Sequence, residues 1–171
     1  MTSSALDVLA IGNAIVDVLS RAEEDVLARH GMVKGGMALI DEERAEQVYA
    51  AMGPGTEASG GSAANTAAGI ASLGGRAGFV GRVKADTLGT VFGHDIRAAG
   101  VAYATTAAAD GPATARCLIL VTPDGERTMN TYLGAAQHLT VADIHAGEVE
   151  SAAVTYLEGY LWDPPPAKNA F

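Results

Sequence analysis

Residues 59–75 read SGGSAANTAAGIASLGG and place two glycines and a serine directly before a run of small residues. The run predicts a helix that Ser62 caps and that carries Asn65 in its first turn. A cap requires only Ser62, whereas a glycine pair permits positive φ and lets another group approach the backbone closely. The stretch therefore favours a binding loop at a helix start, and the alternative is an ordinary glycine loop before a capped helix.

Strand-like and helical segments alternate along the chain, which predicts an α/β fold with a mainly parallel sheet. Residues 6–19, LDVLAIGNAIVDVL, form a nearly continuous apolar run, typical of a strand covered on both faces. Asp41 and Asp86 are predicted to cap two of the helices. We expect GPGTEASGG to be a flexible loop and AAVTYLEGYLW to be a buried strand. The segment TARCLILVTPDGERTMNTYL predicts a β-hairpin around Pro-Asp-Gly. Because a hairpin does not fit the alternation of strands and helices, it indicates a small second sheet.

Composition restricts the class of partner. The chain carries 20 acidic and 11 basic residues and a net charge of -9, which argues against nucleic-acid binding through a basic surface. The one cysteine, Cys117, lies in an apolar run and is expected to be a buried thiol, which fits a reducing compartment. No signal-peptide pattern opens the chain, and no apolar run is long enough to span a membrane. We therefore expect a cytoplasmic protein that does not bind membranes.

Common catalytic signatures are missing from the sequence, and a few polar residues in apolar surroundings remain. Neither the Walker pattern, nor G-x-G-x-x-G, nor G-x-S-x-G occurs, and the histidines show no metal-ligand spacing with Cys117. Asn13 and Asp17 lie in or just after the first predicted strand, where a carboxylate is costly unless it is hydrogen-bonded. On one extended strand they would share a face. The alternative is that Asn13 forms a turn and Asp17 pairs locally.

Four segments together resemble the ribokinase family of carbohydrate and nucleoside kinases, also called the PfkB family. GGSAANTAAGIASLGG resembles its first signature, and VLAIGNAIVD resembles its first strand with a polar substrate clamp. GFVGRVKADTLGTVFGHDIRAAGV is similar to its G-x-V-G-x-D segment, apart from extra residues before Asp86. TARCLILVTPDGERTMNTYLGAA is similar to its lid hairpin. The segments occur in the family's order and cover nearly the whole chain.

The resemblance implies a ribokinase-like fold, in which helices flank a central, mainly parallel sheet and a small β-sheet forms a lid. We expect lid strands near residues 33–40 and 101–133. It also implies transfer of the γ-phosphoryl group of ATP to a primary hydroxyl, with Mg²⁺. The family's second signature, Asp-Thr-x-Gly-Ala-Gly-Asp, is absent from the sequence. That motif carries the catalytic base, so residues 1–171 are expected to be a truncated, substrate-binding N-terminal half without the ATP-binding half, inactive by itself.

The resemblance also implies roles for individual residues. Asp17 would accept hydrogen bonds from two sugar hydroxyls, with Asn13 beside it, and Asn65 would bind another hydroxyl. Gly60 and Gly61 would offer backbone to the sugar ring. The catalytic arginine would be Arg127, reaching the transferring phosphoryl group, and the alternative is an exposed hairpin arginine. Lid side chains that would cover a base are Met37 and Leu133, with Leu39, Tyr132 and Ala135.

The acceptor is expected to be a nucleoside similar to adenosine. The four-residue spacing of Asn13 and Asp17, and the segment YLEGYLWD, resemble the adenosine-kinase-like members. A sugar such as ribose or fructose is the alternative acceptor. Two other kinds of function are a non-catalytic ligand-binding module and a structural partner that forms a homodimer through its lid.

Overall fold

The computed structural model describes residues 5–171, in which two sheets are surrounded by helices. Residues 1–4 lie outside the described part, and so does the beginning of the N-terminal segment in which the sequence shows no signal-peptide pattern. In chain order the strands and α-helices are β1 (Leu6–Ile11), β2 (Ile15–Arg21), α1 (Glu24–Arg29), β3 (Met37–Leu39), α2 (Glu42–Ala51), β4 (Gly55–Gly60), α3 (Ser62–Ser72), β5 (Ala77–Val80), α4 (Thr87–Ala98), β6 (Ala102–Tyr103), β7 (Ala115–Val121), β8 (Arg127–Tyr132), α5 (Ala146–Ser151), β9 (Ala152–Leu157) and α6 (Pro165–Ala170).

Sheet 1 is parallel and has helices on both faces. Its strand order is β6–β5–β1–β9, and all three strand pairs are parallel. On one face Ala10 and Phe79 pack with Phe92 of α4, and the Phe79 and Phe92 ring centroids lie 5.7 Å apart. On the other face Leu9 and Ile11 pack against a smaller cluster that includes residues of the C-terminal helix. Burial on both faces explains the nearly continuous apolar run of β1.

Sheet 2 is mixed and has one face in the core. Its order is β3–β8–β7–β2–β4, with β2 parallel to β7 and antiparallel to β4. Val16 and Val18 of β2 are buried with residues of α2 and α4, while Asp17 between them lies on the half-exposed opposite face. The two sheets confirm the α/β fold with a parallel sheet and a second sheet that contains the predicted hairpin of β7 and β8. Among the described residues this second sheet has five strands and is not smaller than the four-stranded sheet 1.

Several local predictions were wrong. The apolar run 6–19 is two strands in different sheets. Residues 55–60, predicted as a loop, form β4, because their backbone pairs with β2 along its length. β9 lies at the edge of sheet 1 and is mostly exposed, not buried. Within the segment 101–133 assigned to the lid, β6 pairs with β5 and so belongs to sheet 1.

Other local predictions were confirmed. Asp41 caps α2 by accepting the Arg44 N–H at 2.8 Å, and Asp86 caps α4 by accepting the Gly89 N–H at 2.8 Å. Cys117 is buried, and this burial raises the pKa of its thiol to about 11, which fits an unreactive structural role. Among the helices of residues 5–171, none combines the length and hydrophobicity needed to cross a membrane.

Candidate functional site

The candidate site lies where neighbouring strands of sheet 1 end. The carboxyl ends of parallel strands in an open sheet face a common crevice, which is where such folds bind ligands. β1 ends just before Gly12 and Asn13, and its neighbour β9 ends just before Glu158. After Asn13 the chain crosses to β2 of sheet 2. The start of α3 reaches the same place, so residues distant in sequence meet at the junction of the two sheets.

Glu158 links these segments through its side chain. It is 2% exposed. Its Oε2 atom accepts the backbone N–H of Asn13 at 2.7 Å and the Asn13 side-chain Nδ2–H at 3.1 Å. Its Oε1 atom accepts the backbone N–H of Ala63 at 3.2 Å and the hydroxyl of Ser62. The positive end of the α3 dipole lies beside the carboxylate and stabilises its negative charge.

Ser62 does not cap α3, contrary to the prediction. The N-cap residue is Gly61, and Ser62 is the first helical residue, with its hydroxyl bonded to Glu158. The acidic side chain of Glu158, directly after β9, thus takes the place of a local cap, since it accepts the Ala63 N–H that would otherwise be unpaired at the helix start.

The glycines of the site are explained by close contacts. Gly61 has φ of 96°, and a Cβ there would collide with the Asn13 carbonyl oxygen. A Cβ on Gly60 would collide with the carboxylate of Asp17. At Gly12 a Cβ would lie 2.6 Å from Glu158 Oε2 and 2.6 Å from the Cβ of Ala63. The glycine pair therefore allows the loop to pack against the site residues themselves, which the sequence interpretation did not include.

Asp17 is a half-buried carboxylate of the site. It accepts no hydrogen bond within residues 5–171, and desolvation raises the pKa of its carboxyl, while the positive charge of Arg127 acts in the opposite direction. Asn13 lies in the turn and Asp17 in β2, so the prediction that both share a face of one strand was wrong. They still converge on the glycine pair, because Gly60 is opposite Ile15 and beside the Asp17 carboxylate.

The other predicted site residues occupy the neighbourhood in different ways. The strand registers place Met37 and Arg127 on the Asp17 face of sheet 2, although Met37 is 59% exposed. Leu133 directly follows β8 and is half-buried. Asn65 is exposed in the first turn of α3, where its N–H donates to the Gly61 carbonyl. Close contacts thus join Asn13, Asp17 and Asn65 to the glycine pair, and Arg127 acts on Asp17 through its charge. Met37 is related to them only by the shared face of sheet 2, and Leu133 only by its place at the end of β8.

Two acidic residues of the site were missed. Glu158 is described above, and Asp95 of α4 accepts both the N–H and the O–H of Ser59, at 2.6 and 2.8 Å. Asp95 thereby fixes β4 just before the glycine pair. Glu158 could have been found as a charged residue directly after an apolar strand-like run, where burial requires partners. No sequence signal pointed to Asp95, because an acidic residue on an amphipathic helix is ordinary.

Within residues 5–171, no three His, Cys, Asp or Glu side chains come together in an arrangement that could hold a metal ion.

Comparison with known families identifies the chain. The family model described as "pfkB family carbohydrate kinase" matches residues 31–170. The chain belongs to this family. No match is found among curated proteins.

Solved structures of a probable sugar kinase and of adenosine kinases share the fold along almost the whole chain. A probable sugar kinase from Rhizobium etli is 57% identical, with a TM-score of 0.89, over 98% of this chain and 51% of that protein. An adenosine kinase from Sinorhizobium meliloti is 56% identical, with a TM-score of 0.87, over 96% of this chain and 50% of that protein. An adenosine kinase from Schistosoma mansoni, solved with adenosine, is 25% identical, with a TM-score of 0.79, over 92% and 48%. The chain spans about half the length of these structures.

Proposed function

We propose that this chain supplies the acceptor-binding part of a kinase that transfers a phosphoryl group from ATP to a primary hydroxyl of a nucleoside similar to adenosine. The observation that carries the proposal is Asp17, a half-buried carboxylate without a hydrogen-bond donor among residues 5–171, beside the glycine pair and in the field of Arg127. A sugar ring offers neighbouring hydroxyls, and two of them can donate to one carboxylate.

Asn13 supplies a second acceptor at this point. Its Nδ2 atom donates to Glu158, whereas its Oδ1 atom is buried and has no hydrogen-bond partner among the described residues. A buried unpaired acceptor is costly, and a hydroxyl of the sugar would satisfy it. Gly60 has no Cβ where the Asp17 carboxylate lies, and Gly61 has none against the Asn13 carbonyl oxygen, so both site residues can lie directly against this loop. Asn65, one turn into α3, would meet a further hydroxyl.

Apolar side chains favour a nucleoside over a free sugar. Met37 and Leu39 are 59% and 65% exposed on the same face of sheet 2 as Asp17. Burying a purine against them gains about 25 cal/mol per Å² of apolar area removed from water, which a free sugar does not offer. Leu133 would contribute at the edge of this surface. The similarity to a probable sugar kinase at 57% identity keeps a sugar acceptor as the second candidate.

Arg127 is proposed to act on the phosphoryl group. It begins β8 and is exposed, so its charged end is free to meet a phosphate, and its charge already acts on Asp17. Among residues 5–171, no three His, Cys, Asp or Glu side chains come together in a group that could hold Mg²⁺ by themselves. We therefore assign the metal, the ATP site and the catalytic base to no residue of this chain, and we expect the 171-residue chain by itself to show no turnover with ATP and adenosine.

The test uses both the chain and a chimera. Titration calorimetry of the chain with adenosine should detect binding, and Asp17→Ala should weaken it by about 10²–10⁴, since each hydrogen bond to a charged group contributes roughly 1.5–3 kcal/mol. The matched control is Asp25→Ala, which removes an exposed carboxylate of α1. Unchanged affinity in a folded Asp17→Ala variant would make Asp17 a structural residue.

Substrate choice is measured on a chimera that joins this chain to the part of the Rhizobium etli protein that the chain does not cover. We expect kcat/KM with ATP to be higher for adenosine than for ribose or fructose. A sugar ranked above adenosine, inosine and guanosine would reject the nucleoside assignment and support the sugar kinase. A chimera that phosphorylates none of them, although it is folded, would contradict the kinase assignment.

A further inference from the structure

The carboxylate of Glu158 has no capacity left for a ligand. A carboxylate offers about four lone-pair positions. Oε2 accepts two hydrogen bonds from Asn13, and Oε1 accepts one each from Ser62 and Ala63. Glu158 and Asn13 are both buried, at 2% and 3% exposure, so it is the four hydrogen bonds of Glu158, and not its exposure, that leave it without a free acceptor position. Glu158 can therefore affect ligand binding only through the residues that are hydrogen-bonded to it, which are Asn13, Ser62 and Ala63.

Glu158 is itself held firmly in place. Its backbone N–H donates to the Ile11 carbonyl at 3.0 Å, directly after β9 pairs with β1. Its Oε2 and Cβ atoms also lie within 3.0 Å of the position that a Cβ on Gly12 would occupy, so the side chain packs against the end of β1. One rigid side chain thus joins three elements: the turn after β1, the start of α3 and the end of β9.

The carboxylate decides which end of the Asn13 amide faces it. A carboxylate only accepts hydrogen bonds, so the Asn13 NH₂ group must point toward Glu158 and Oδ1 must point elsewhere. Within residues 5–171, that Oδ1 is buried and has no partner. Without the negative charge at Glu158, the amide could rotate by half a turn and present NH₂ in place of the acceptor oxygen.

We propose that Glu158 is a positioning residue that fixes Asn13 with Oδ1 available to an acceptor hydroxyl and holds the start of α3 against it. The inference rests on the proposed function, because it assigns Asn13 to acceptor binding. Glu158 does not touch the acceptor.

The first experiment needs no ligand. In the 171-residue chain carrying Glu158→Gln, amide hydrogen exchange should accelerate at Asn13, at Ala63 or at both, since the Gln NH₂ group replaces one of the two carboxylate oxygens and cannot accept an N–H group, and should stay unchanged at Gly89 of α4. Glu150→Gln, which removes an exposed charge of α5, is the matched control and should change neither site. Unchanged exchange at Asn13 and Ala63 in Glu158→Gln would overturn the proposal.

The second experiment is a pair of double-mutant cycles with adenosine as the probe, read by calorimetry. Glu158→Gln should weaken binding about ten- to hundredfold. Combined with Asn13→Ala it should add less than about twofold, because the effect passes through Asn13. Combined with Asp17→Ala the losses should multiply, since Asp17 and Glu158 share no hydrogen bond. If Glu158→Gln lowers the affinity for adenosine by its full factor also in the Asn13→Ala background, the proposal is overturned. Glu158 then acts on the acceptor directly or through the general stability of the site.

A milder variant covers the case in which Glu158→Gln does not fold. Ser62→Ala removes one donor to Oε1 from an exposed residue and should accelerate exchange at Ala63 and weaken adenosine binding in the same direction, by less than Glu158→Gln. No change in either readout would overturn the proposal. If the wild-type chain binds neither adenosine nor sugars, the proposed function fails, and the exchange at Asn13 and Ala63 then decides about Glu158 by itself.

Discussion

At the scale of single residues, Asp17 is notable because few interactions within residues 5–171 stabilise its negative charge. Burial raises the pKa of its carboxyl, the Arg127 charge offsets this only in part, and no donor among residues 5–171 bonds to it. Gly60 has no side chain where the carboxylate lies. Binding residues often cost stability in the ligand-free protein, because their partners belong to the ligand.

Asp17→Asn should therefore stabilise the ligand-free chain at pH 7. The folded pKa is raised, so the carboxyl contributes stability below its unfolded value near 3.8 and loses it as pH rises through the folded pKa. The gain over wild type should be largest near neutrality and should shrink toward pH 4, as measured by urea midpoints. Asp25→Asn on α1 should shift stability by less than about 0.5 kcal/mol at either pH. A gain that is absent at pH 7, or equal at both pH values, would contradict the argument.

At the scale of elements, the two aspartate caps differ in what else they hold. Asp41 accepts one backbone N–H at an exposed helix start. Asp86 accepts the Gly89 N–H and also both the N–H and the O–H of Thr114, at 2.9 and 2.7 Å. Burial would raise the pKa of Asp86, but these hydrogen bonds outweigh it and lower the pKa below its usual value. Asp86 therefore ties α4 to the segment before β7.

Asp86→Ala should lower the free energy of unfolding by about 2–4 kcal/mol, because a cap and buried hydrogen bonds are lost together. Asp41→Ala should cost about 1 kcal/mol, typical of a cap alone. Since the folded pKa of Asp86 is lowered, its contribution is present above about pH 3.8 and fades as pH falls below that value. Urea unfolding at pH 7 and pH 3 measures both effects, and equal costs for the two variants would show that Thr114 contributes nothing.

The elements also show what could be predicted from the sequence. α2 and α4 were predicted correctly because their caps and stops are local signals. β4 was missed because GTEASG has no apolar alternation, and only its pairing with β2 makes it a strand. The residues of the first signature were found by resemblance, whereas the hydrogen bonds of Glu158 to Asn13 and Ala63 join positions 145 and 95 residues apart. Contacts at such separation leave no local pattern.

At the scale of the whole molecule, sheet 1 ends in an edge strand, β9. β1 has partners on both sides, whereas β9 pairs with β1 on one side and forms the edge of the sheet. Val154, Tyr156 and Leu157 of this strand are 56%, 38% and 43% exposed. An apolar edge strand without charges or prolines is a template for pairing with another chain. The sequence predicted the strand from its apolar residues, but apolarity does not distinguish a central strand from an exposed edge.

The 171-residue chain should therefore self-associate through β9, to an extent that grows with concentration over about 1–100 μM, where exposed edges of this kind pair. Val154→Lys should reduce the association, because a charge on an edge strand disfavours pairing, and the side chain is exposed enough to accept it. Leu73→Lys is the matched control: Leu73 is 89% exposed at the end of α3, away from the edge, and its replacement should change association little. Sedimentation velocity of the three proteins measures the effect. A wild-type chain that stays monomeric throughout, or two lysine variants that behave alike, would show that the β9 edge does not drive association.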